Sequence, residues 1–267
     1  MKIAAAQLNF HVGNFEFNRK KIIDYIRSAV QKKIDLLVFP ELAICGYPPR
    51  DFLEFNDFVE KCIASIESIA LETKDIAVVI GGPSKNNTGK GKSLFNSAYV
   101  LVNGRVKEII NKTLLPTYDV FDEYRYFEQS RVFNVIEIKG KNIGIAICED
   151  LWNVGNNPLY TQTPALELKE LGAEIIVNIS ASPFSYLQDS NRKEVLKENT
   201  EKTNIPIVYC NHVGAQTELI FDGGSFFMNS DGKVVKQSPF FSEDLLISEL
   251  INGQFLKGNV QSGSKIQ

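Results

Sequence analysis

The sequence predicts a layered α/β sandwich with largely mixed sheets, and three observations support this fold class. Apolar runs of strand length recur along the chain, and many are followed by amphipathic stretches of helical length. Tight-turn signals at Asn103-Gly104, Lys139-Gly140-Lys141 and Asp231-Gly232 each separate two strand-like runs. Helical runs bracket the central hairpins, which favours a sandwich over a (β/α)8 barrel.

The predicted elements alternate, become antiparallel in the middle and alternate again. Residues 14–31 read as a helix because Phe15, Ile22 and Ile26 lie near a 3.6-residue period. The other predicted helices are 58–73, 163–171 and 190–204. Strands are expected at 3–8, 34–39, 76–80, 174–179 and 207–210. The expected hairpins pair 93–102 with 105–110, 132–138 with 142–147, and 225–229 with 233–235.

One domain is predicted for residues 1–250, because no linker-like segment interrupts this part of the chain. Residues 251–267 are rich in Gly, Ser and Gln, so we expect a linker or a frayed tail there.

Composition excludes several classes of protein. Hydrophobic residues at 44% and charged residues at 23% are typical of globular domains and argue against disorder and coiled coils. A net charge of −3 argues against nucleic acid as a partner. No run approaches the ~20 apolar residues that a membrane helix needs, so no membrane partner is expected.

The four cysteines form no CxxC pair, and the chain has two histidines. Neither a metal site nor a disulfide framework is therefore predicted. A reducing cytoplasm is the expected location.

Three residues with reactive side chains follow predicted strands, namely Glu41, Lys112 and Cys148. Strand ends are where α/β sheets place ligand sites. Each residue alone also has an ordinary explanation, since cysteine is often buried and glutamate and lysine are usually solvated. The polar run Glu149-Asp150 directly after the thiol favours a functional role for Cys148.

Three segments carry a family resemblance: PELAICGYPPRDFL (40–53), NKTLLPTYDVFDEYRYF (111–127) and CEDLW (148–152). They resemble the signature segments of the nitrilase, or carbon-nitrogen hydrolase, superfamily. Together with SASPF (180–184), they more narrowly resemble the glutamine amidohydrolase domain of glutamine-dependent NAD synthetases. The resemblance covers roughly residues 1–250. It implies a four-layer α-β-β-α sandwich with mixed sheets.

The resemblance also implies a Glu-Lys-Cys triad that hydrolyses the side-chain amide of glutamine and supplies ammonia for NAD synthesis. Glu41 would be the general base and later the acid, and Cys148 the nucleophile. Lys112 and the backbone N–H of Glu149 would hold the oxyanion. The half-reaction would need no metal or organic cofactor.

Five further positions are implied to contact the substrate. Tyr47, Tyr118, Trp152 and Ser182 would line the pocket, and Glu123 would bind the α-ammonium of glutamine or orient Lys112. One position departs from the family. Many members have Gly-Lys or Gly-Arg shortly after the Ser-Pro, whereas this chain has Leu187-Gln188, with Arg192 downstream as a candidate replacement.

The expected partners are glutamine, an ammonia-accepting synthetase domain and further copies of the chain in a homo-oligomer. ATP and nicotinate adenine dinucleotide would bind only the synthetase domain. Its Ser-Gly-Gly-x-Asp-Ser pyrophosphate loop does not occur in these 267 residues, and the Gly81-Gly82 and Gly223-Gly224 pairs lack that pattern.

Three alternatives stay open. A free-standing amidase of the same superfamily would act on another small amide. A catalytically silent interaction domain is disfavoured, because all three triad residue types are present. A Cys-His hydrolase would need His11 or His212, and we expect His212 to be a structural residue at a strand end.

Overall fold

A computed structural model describes residues 1–155 and 158–258. Five α-helices and fifteen β-strands lie in this part of the chain. In chain order they are β1 (Lys2–Gln7), α1 (Phe15–Gln31), β2 (Leu36–Val38), α2 (Asn56–Ala70), β3 (Ala77–Lys85), β4 (Leu94–Val102), β5 (Arg105–Asn111), α3 (Glu123–Tyr126), β6 (Val135–Ile138), β7 (Lys141–Ile147), α4 (Pro164–Glu170), β8 (Ile175–Ser180), α5 (Gln188–Thr203), β9 (Ile207–Asn211), β10 (Val213–Gln216), β11 (Leu219–Asp222), β12 (Phe226–Met228), β13 (Val234–Gln237), β14 (Asp244–Ile251) and β15 (Gln254–Phe255). Short 3₁₀ helices occupy Arg50–Glu54 and Cys148–Leu151.

Two large mixed sheets form the centre of the fold. The first has seven strands in the order β15-β14-β1-β2-β3-β4-β5, with β1, β2 and β3 parallel and the others antiparallel. The second has six strands in the order β13-β12-β9-β8-β7-β6, with β7, β8 and β9 parallel. Strands β10 and β11 form a separate hairpin.

Three apolar clusters define the layers. Between the sheets, side chains such as Val79 and Val177 pack in one buried cluster. The helices α1 and α2 cover the other face of the first sheet through residues such as Ile22 and Ile66. The helices α4 and α5 cover the second sheet, and Leu196 is fully enclosed there. The four-layer α-β-β-α sandwich expected from the sequence is therefore confirmed.

The three predicted hairpins are present as β4-β5, β6-β7 and β12-β13. The sequence analysis missed β10, β11 and β14. The hairpin Val213–Gln216 with Leu219–Asp222 is short and partly polar, so it lacks a clear apolar alternation. Strand β14 lies beside β1, a pairing of chain ends that no local pattern indicates.

The sheet continues beyond residue 250, where the sequence predicts the domain to end. Strand β15 pairs with β14, and the Phe255 side chain is 2% exposed because it packs against Phe227 between the sheets. Part of the predicted tail is thus ordered structure, and 259–267 lie outside the described residues. No helix in the described ranges is long and apolar enough to cross a membrane.

Candidate active site

Four buried side chains form a charge cluster near the ends of strands of the first sheet. We define this charge cluster as Glu41, Asn96, Lys112 and Glu123, each of which is 5% exposed or less. Glu41 follows β2, Asn96 lies in β4, Lys112 follows β5, and Glu123 begins α3. The structure therefore brings together residues that the chain separates by as much as 82 positions.

Lys112 is the centre of this charge cluster. Its Nζ donates to Glu41 Oε1 at 2.7 Å and to the two carboxylate oxygens of Glu123 at 2.9 and 2.8 Å. Burial opposes the charge on Lys112, but the carboxylates of Glu123 and Glu41 outweigh it and raise the pKa of this amine well above its ordinary value. Lys112 is consequently a permanent cation with both carboxylates as partners.

Glu41 is held from three directions. Its Oε1 accepts from Lys112 and, at 2.7 Å, from Asn96 Nδ2, while its Oε2 accepts from the Ala181 backbone N–H at 2.9 Å. Burial raises the pKa of Glu41 to about 7, against the lowering effect of Lys112. A carboxylate with a pKa near neutrality can both accept and return a proton at physiological pH.

Cys148 lies beside this charge cluster, at the junction of β7 and the 3₁₀ helix Cys148–Leu151. Its φ of +43° lies in the left-handed region, which a non-glycine residue adopts at a cost of about 1–3 kcal/mol. Burial, followed by the charge of Glu41, raises the pKa of the Cys148 thiol well above its ordinary value, and Lys112 opposes the rise. The resting thiol is therefore protonated and needs a base to become a nucleophile.

Asp150 joins the turn of Cys148 to the loop of Lys112. Its Oδ1 accepts from the backbone N–H groups of Thr113 and Leu114 at 2.9 and 2.8 Å, and its Oδ2 accepts from that of Ile147 at 2.9 Å. Burial raises the pKa of Asp150 to about 6, while these hydrogen bonds lower it. Asp150 thus fixes Cys148 relative to Lys112.

A cavity of about 440 Å³ opens in front of Cys148, and we call it the Cys148 cavity. Of the predicted substrate contacts, Tyr118, Trp152 and Ser182 line it. Its wall also includes Glu149, whose carboxylate accepts from the hydroxyl groups of Tyr118 at 2.9 Å and Tyr160 at 3.0 Å.

Tyr47 and Glu123 are not among the residues that line this cavity. Both line an adjacent cavity of about 340 Å³, and the Tyr47 hydroxyl donates to Glu123 Oε1 at 3.0 Å. The contact of Tyr47 with substrate stays a prediction, and in the structure its side chain bonds Glu123 of the charge cluster. Of the two roles that the sequence left open for Glu123, its bonds to Lys112 fit the orienting one.

Arg192 is buried behind Ser182 instead of lining the Cys148 cavity. Its guanidinium donates to both oxygens of Asp222, at 3.0 and 2.7 Å, to Ser182 Oγ at 3.0 Å and to the Pro183 carbonyl at 2.9 Å. With these partners it holds the Ser182-Pro183 segment in place. Arg192 does not replace the basic residue that the family resemblance leads one to expect near position 188.

His212 contacts the backbone of Glu41, a member of the charge cluster. Its Nε2 lies 2.6 Å from the Glu41 carbonyl oxygen, and burial lowers its pKa to about 4. Because a carbonyl only accepts, Nε2 carries the proton and the ring is neutral at pH 7. The ring packs edge-on against Phe10. His11, the other histidine, stacks on Phe17.

Sequence reasoning missed Asn96 and the role of Asp150, and it expected a structural role for His212 without identifying its bond to Glu41. Each bonds a residue distant in the chain: Asn96 reaches Glu41 across 55 positions, and His212 does so across 171. No local motif signals such a contact. For Asp150, its position two residues after Cys148 was the one available signal.

Known proteins are similar to this chain over most of its length. Residues 2–253 match the model of the carbon-nitrogen hydrolase family. The chain is 39% identical over 252 residues to a glutamine-dependent NAD(+) synthetase of Synechocystis sp., covering 92% of this chain and 45% of that protein. It is 36% identical over 256 residues to the enzyme of the same name from Aquifex aeolicus, covering 95% and 43%.

Solved structures give the same result. The structure of glutamine-dependent NAD+ synthetase from Acinetobacter baumannii superposes with a TM-score of 0.90 at 33% identity, covering 99% of this chain and 48% of that one. An amidase from Nesterenkonia sp. AN1 shares the fold, with a TM-score of 0.80 at 21% identity and coverages of 94% and 93%. The chain spans about half the length of the curated relatives it matches. It belongs to the carbon-nitrogen hydrolase family.

Proposed function

We propose that this chain hydrolyses the side-chain amide of glutamine through a thioester on Cys148, and that the ammonia serves NAD synthesis. The observation that carries the proposal is the buried charge cluster beside Cys148, in which Glu41 and Lys112 share a hydrogen bond of 2.7 Å. The glutamine-dependent NAD synthetases to which the chain is similar support the substrate and the use of the ammonia.

In the first step Glu41 takes the thiol proton, and the Cys148 sulfur attacks the side-chain carbonyl carbon of the amide. The oxyanion is held by Lys112 and by the backbone N–H of Glu149, which lies in the first turn of a 3₁₀ helix and has no acceptor within that helix. Once protonated, Glu41 holds Lys112 less strongly. A Lys112 N–H can then turn towards the oxyanion as its charge develops.

In the second step the proton on Glu41 passes to the leaving nitrogen, the carbon–nitrogen bond breaks and ammonia departs. The γ-glutamyl thioester remains on Cys148. Glu41, ionised again, removes a proton from water as that water attacks the thioester; the carbon–sulfur bond then breaks and Glu41 returns this proton to the Cys148 sulfur. The products are glutamate and the free thiol, so the half-reaction needs no metal or organic cofactor.

Glutamine binds in the Cys148 cavity with Tyr118, Trp152 and Ser182 around it. The α-ammonium pairs with the carboxylate of Glu149, which is 3% exposed and lines this cavity, whereas Glu123 is engaged by Lys112. A buried carboxylate that accepts two tyrosine hydroxyls gains a charged partner in the substrate ammonium.

Ammonia passes to a synthetase domain, where ATP and nicotinate adenine dinucleotide bind. We place the protein in the cytoplasm as a homo-oligomer, in line with the expectations from its sequence.

Ammonia release from glutamine, asparagine and simple aliphatic amides tests the proposal, with Cys148→Ala as the matched control. Glutamine should be hydrolysed at a low rate that ATP and nicotinate adenine dinucleotide leave unchanged, because this sequence contains no pyrophosphate loop. Fast turnover of another amide together with indifference to glutamine would refute it and establish the free-standing amidase.

A further inference from the structure

The Cys148 cavity is lined by negative charge. Asp119, Glu149 and Glu218 contribute carboxylates to its wall. Among the described residues that line it, none is a lysine or an arginine. The neutral polar side chains include Ser182 and Gln188. A free amino acid carries an α-carboxylate, and this wall offers that group no opposite charge.

The cations around the cavity are already paired. Lys112 is bonded to Glu41 and Glu123 within the charge cluster. Arg192 is paired with Asp222, and both side chains are buried, at 1% and 3% exposure. Arg50 approaches the rim and forms an ion pair with Glu218.

Gln188 is a neutral side chain in the wall of the Cys148 cavity. It begins α5, is half-buried, and its Nε2 lies 3.4 Å from Ser182 Oγ. Many proteins that the sequence resembles have Gly-Lys or Gly-Arg at this point, and here the pair is Leu187-Gln188. An amide donates a weaker hydrogen bond to a carboxylate than a charged group does.

We propose that the Cys148 cavity recognises the α-carboxyl end of its substrate with neutral donors only, so that glutamine with this carboxyl masked in an amide bond is used at least as well as free glutamine. This rests on the glutaminase function proposed above. Masking removes a negative charge that the wall does not pair and that Asp119 repels, while the α-ammonium still pairs with Glu149 and Glu218 stays paired with Arg50. The substrate class therefore extends to compounds that carry a glutamine side chain, a free α-amino group and an amide-linked carboxyl group.

The test compares kcat/KM for glutamine and for glutamine α-N-methylamide. Only the side-chain amide of the second compound releases ammonia, and the Cys148→Ala variant supplies the correction for non-enzymatic release. We expect kcat/KM for the N-methylamide to equal or exceed that for glutamine. A preference for free glutamine of about a hundredfold or more would overturn the inference and leave the glutaminase function intact.

Substitutions at position 188 provide the matched pair. Gln188→Lys places an ammonium in the wall and should raise the ratio of kcat/KM for glutamine over the N-methylamide by about tenfold. Gln188→Met has similar length without charge and should leave that ratio within about twofold. Because Gln188 is half-buried, both variants are checked for unchanged thermal unfolding. An unchanged ratio in a folded Gln188→Lys variant would overturn the inference.

Arg50 is a further residue that could bind the α-carboxylate of the substrate. If it left Glu218 to bind substrate, Arg50→Gln would lower the glutamine to N-methylamide ratio about tenfold, which would contradict the proposal. We expect the ratio to stay within about twofold. Failure of both compounds to release ammonia in a Cys148-dependent way would refute the glutaminase function itself, and the inference with it.

Discussion

The two sides of Cys148 differ in their burial and in how their charges are paired. On one side the charge cluster is sealed from solvent, and each of its ionised groups is bonded to another member. On the other side the Cys148 cavity is open, and Tyr118 in its wall is 41% exposed. The sealed side fixes charges and one transferable proton in place, which suits bond cleavage. The open side carries anions and neutral donors, which suit the choice of substrate.

The largest effect is expected from substituting the nucleophile itself, Cys148. Cys148→Ala should lower kcat for glutamine by about 10⁴-fold or more, because no thioester can form. The variant should unfold at a similar temperature, since the substitution removes only the sulfur atom and keeps the Cβ and the backbone conformation. Ammonia release and thermal unfolding measure the two effects.

A glutamine-mimicking diazoketone provides the accompanying label. It should modify one cysteine, and mass spectrometry of the digested protein identifies which. Modification of Cys45, Cys62 or Cys210 in place of Cys148 would contradict the assignment, since these three are 0% exposed whereas Cys148 lines the Cys148 cavity.

The next largest effects are expected at Glu41, which takes the thiol proton, and at its partner Lys112. Glu41→Gln should lower kcat by about 10²–10⁴-fold, because it removes the general base. Lys112→Met should lower kcat by a similar factor and also destabilise the fold by about 3–5 kcal/mol, because it leaves two buried carboxylates without their cation. The double variant should lose little more activity than either single variant if both residues act in one step. Multiplicative losses would show that they act independently.

The pH dependence of kcat/KM tests whether Glu41 is the base. Glu41 must be ionised to take the thiol proton, and its pKa is raised to about 7. Below that pH the carboxyl is protonated, so kcat/KM for glutamine should fall about tenfold per unit of decreasing pH. Above it, kcat/KM should approach a plateau. An acid limb near pH 4 to 5 would mean that the base is a solvated carboxylate instead.

The sequence indicated the three candidate catalytic residues, which the structure brings close together, but not the residues that support them. Glu41, Lys112 and Cys148 each follow a strand that a local apolar run predicts, and the family resemblance connected them. Tyr47 shows the limit of this reasoning, because its hydroxyl bonds Glu123 across 76 positions, a contact that the sequence did not predict. Which wall an aromatic side chain faces depends on how two loops pack together. Neither residue type nor spacing encodes that packing locally.

A smaller effect is expected at Asp150, which fixes Cys148 relative to Lys112. Asp150→Asn keeps the size of the side chain but replaces one accepting oxygen with a donor, facing either Ile147 or the Thr113 and Leu114 amides. We expect kcat to fall about tenfold to a hundredfold while KM changes little, because Cys148 shifts relative to Lys112. Asp57→Asn is the control, since its carboxylate is exposed and pairs with Lys61 on the surface of α2. A change confined to KM would place the role of Asp150 on the open side.

The smallest effect is expected at His212, where two substitutions test whether this histidine positions Glu41 or acts in catalysis. His212→Gln retains a donor that can reach the Glu41 carbonyl, whereas His212→Ala loses it. We expect kcat to fall about threefold for the first and about tenfold for the second, since a displaced backbone turns the Glu41 carboxylate away from Cys148. In both variants the acid limb should stay near pH 7, because burial lowers the pKa of His212 to about 4 and the ring does not titrate there. A Cys-His hydrolase would instead lose kcat by about 10³-fold or more together with that limb. His11→Ala, which removes only a stack on Phe17, should leave both kcat and the profile unchanged.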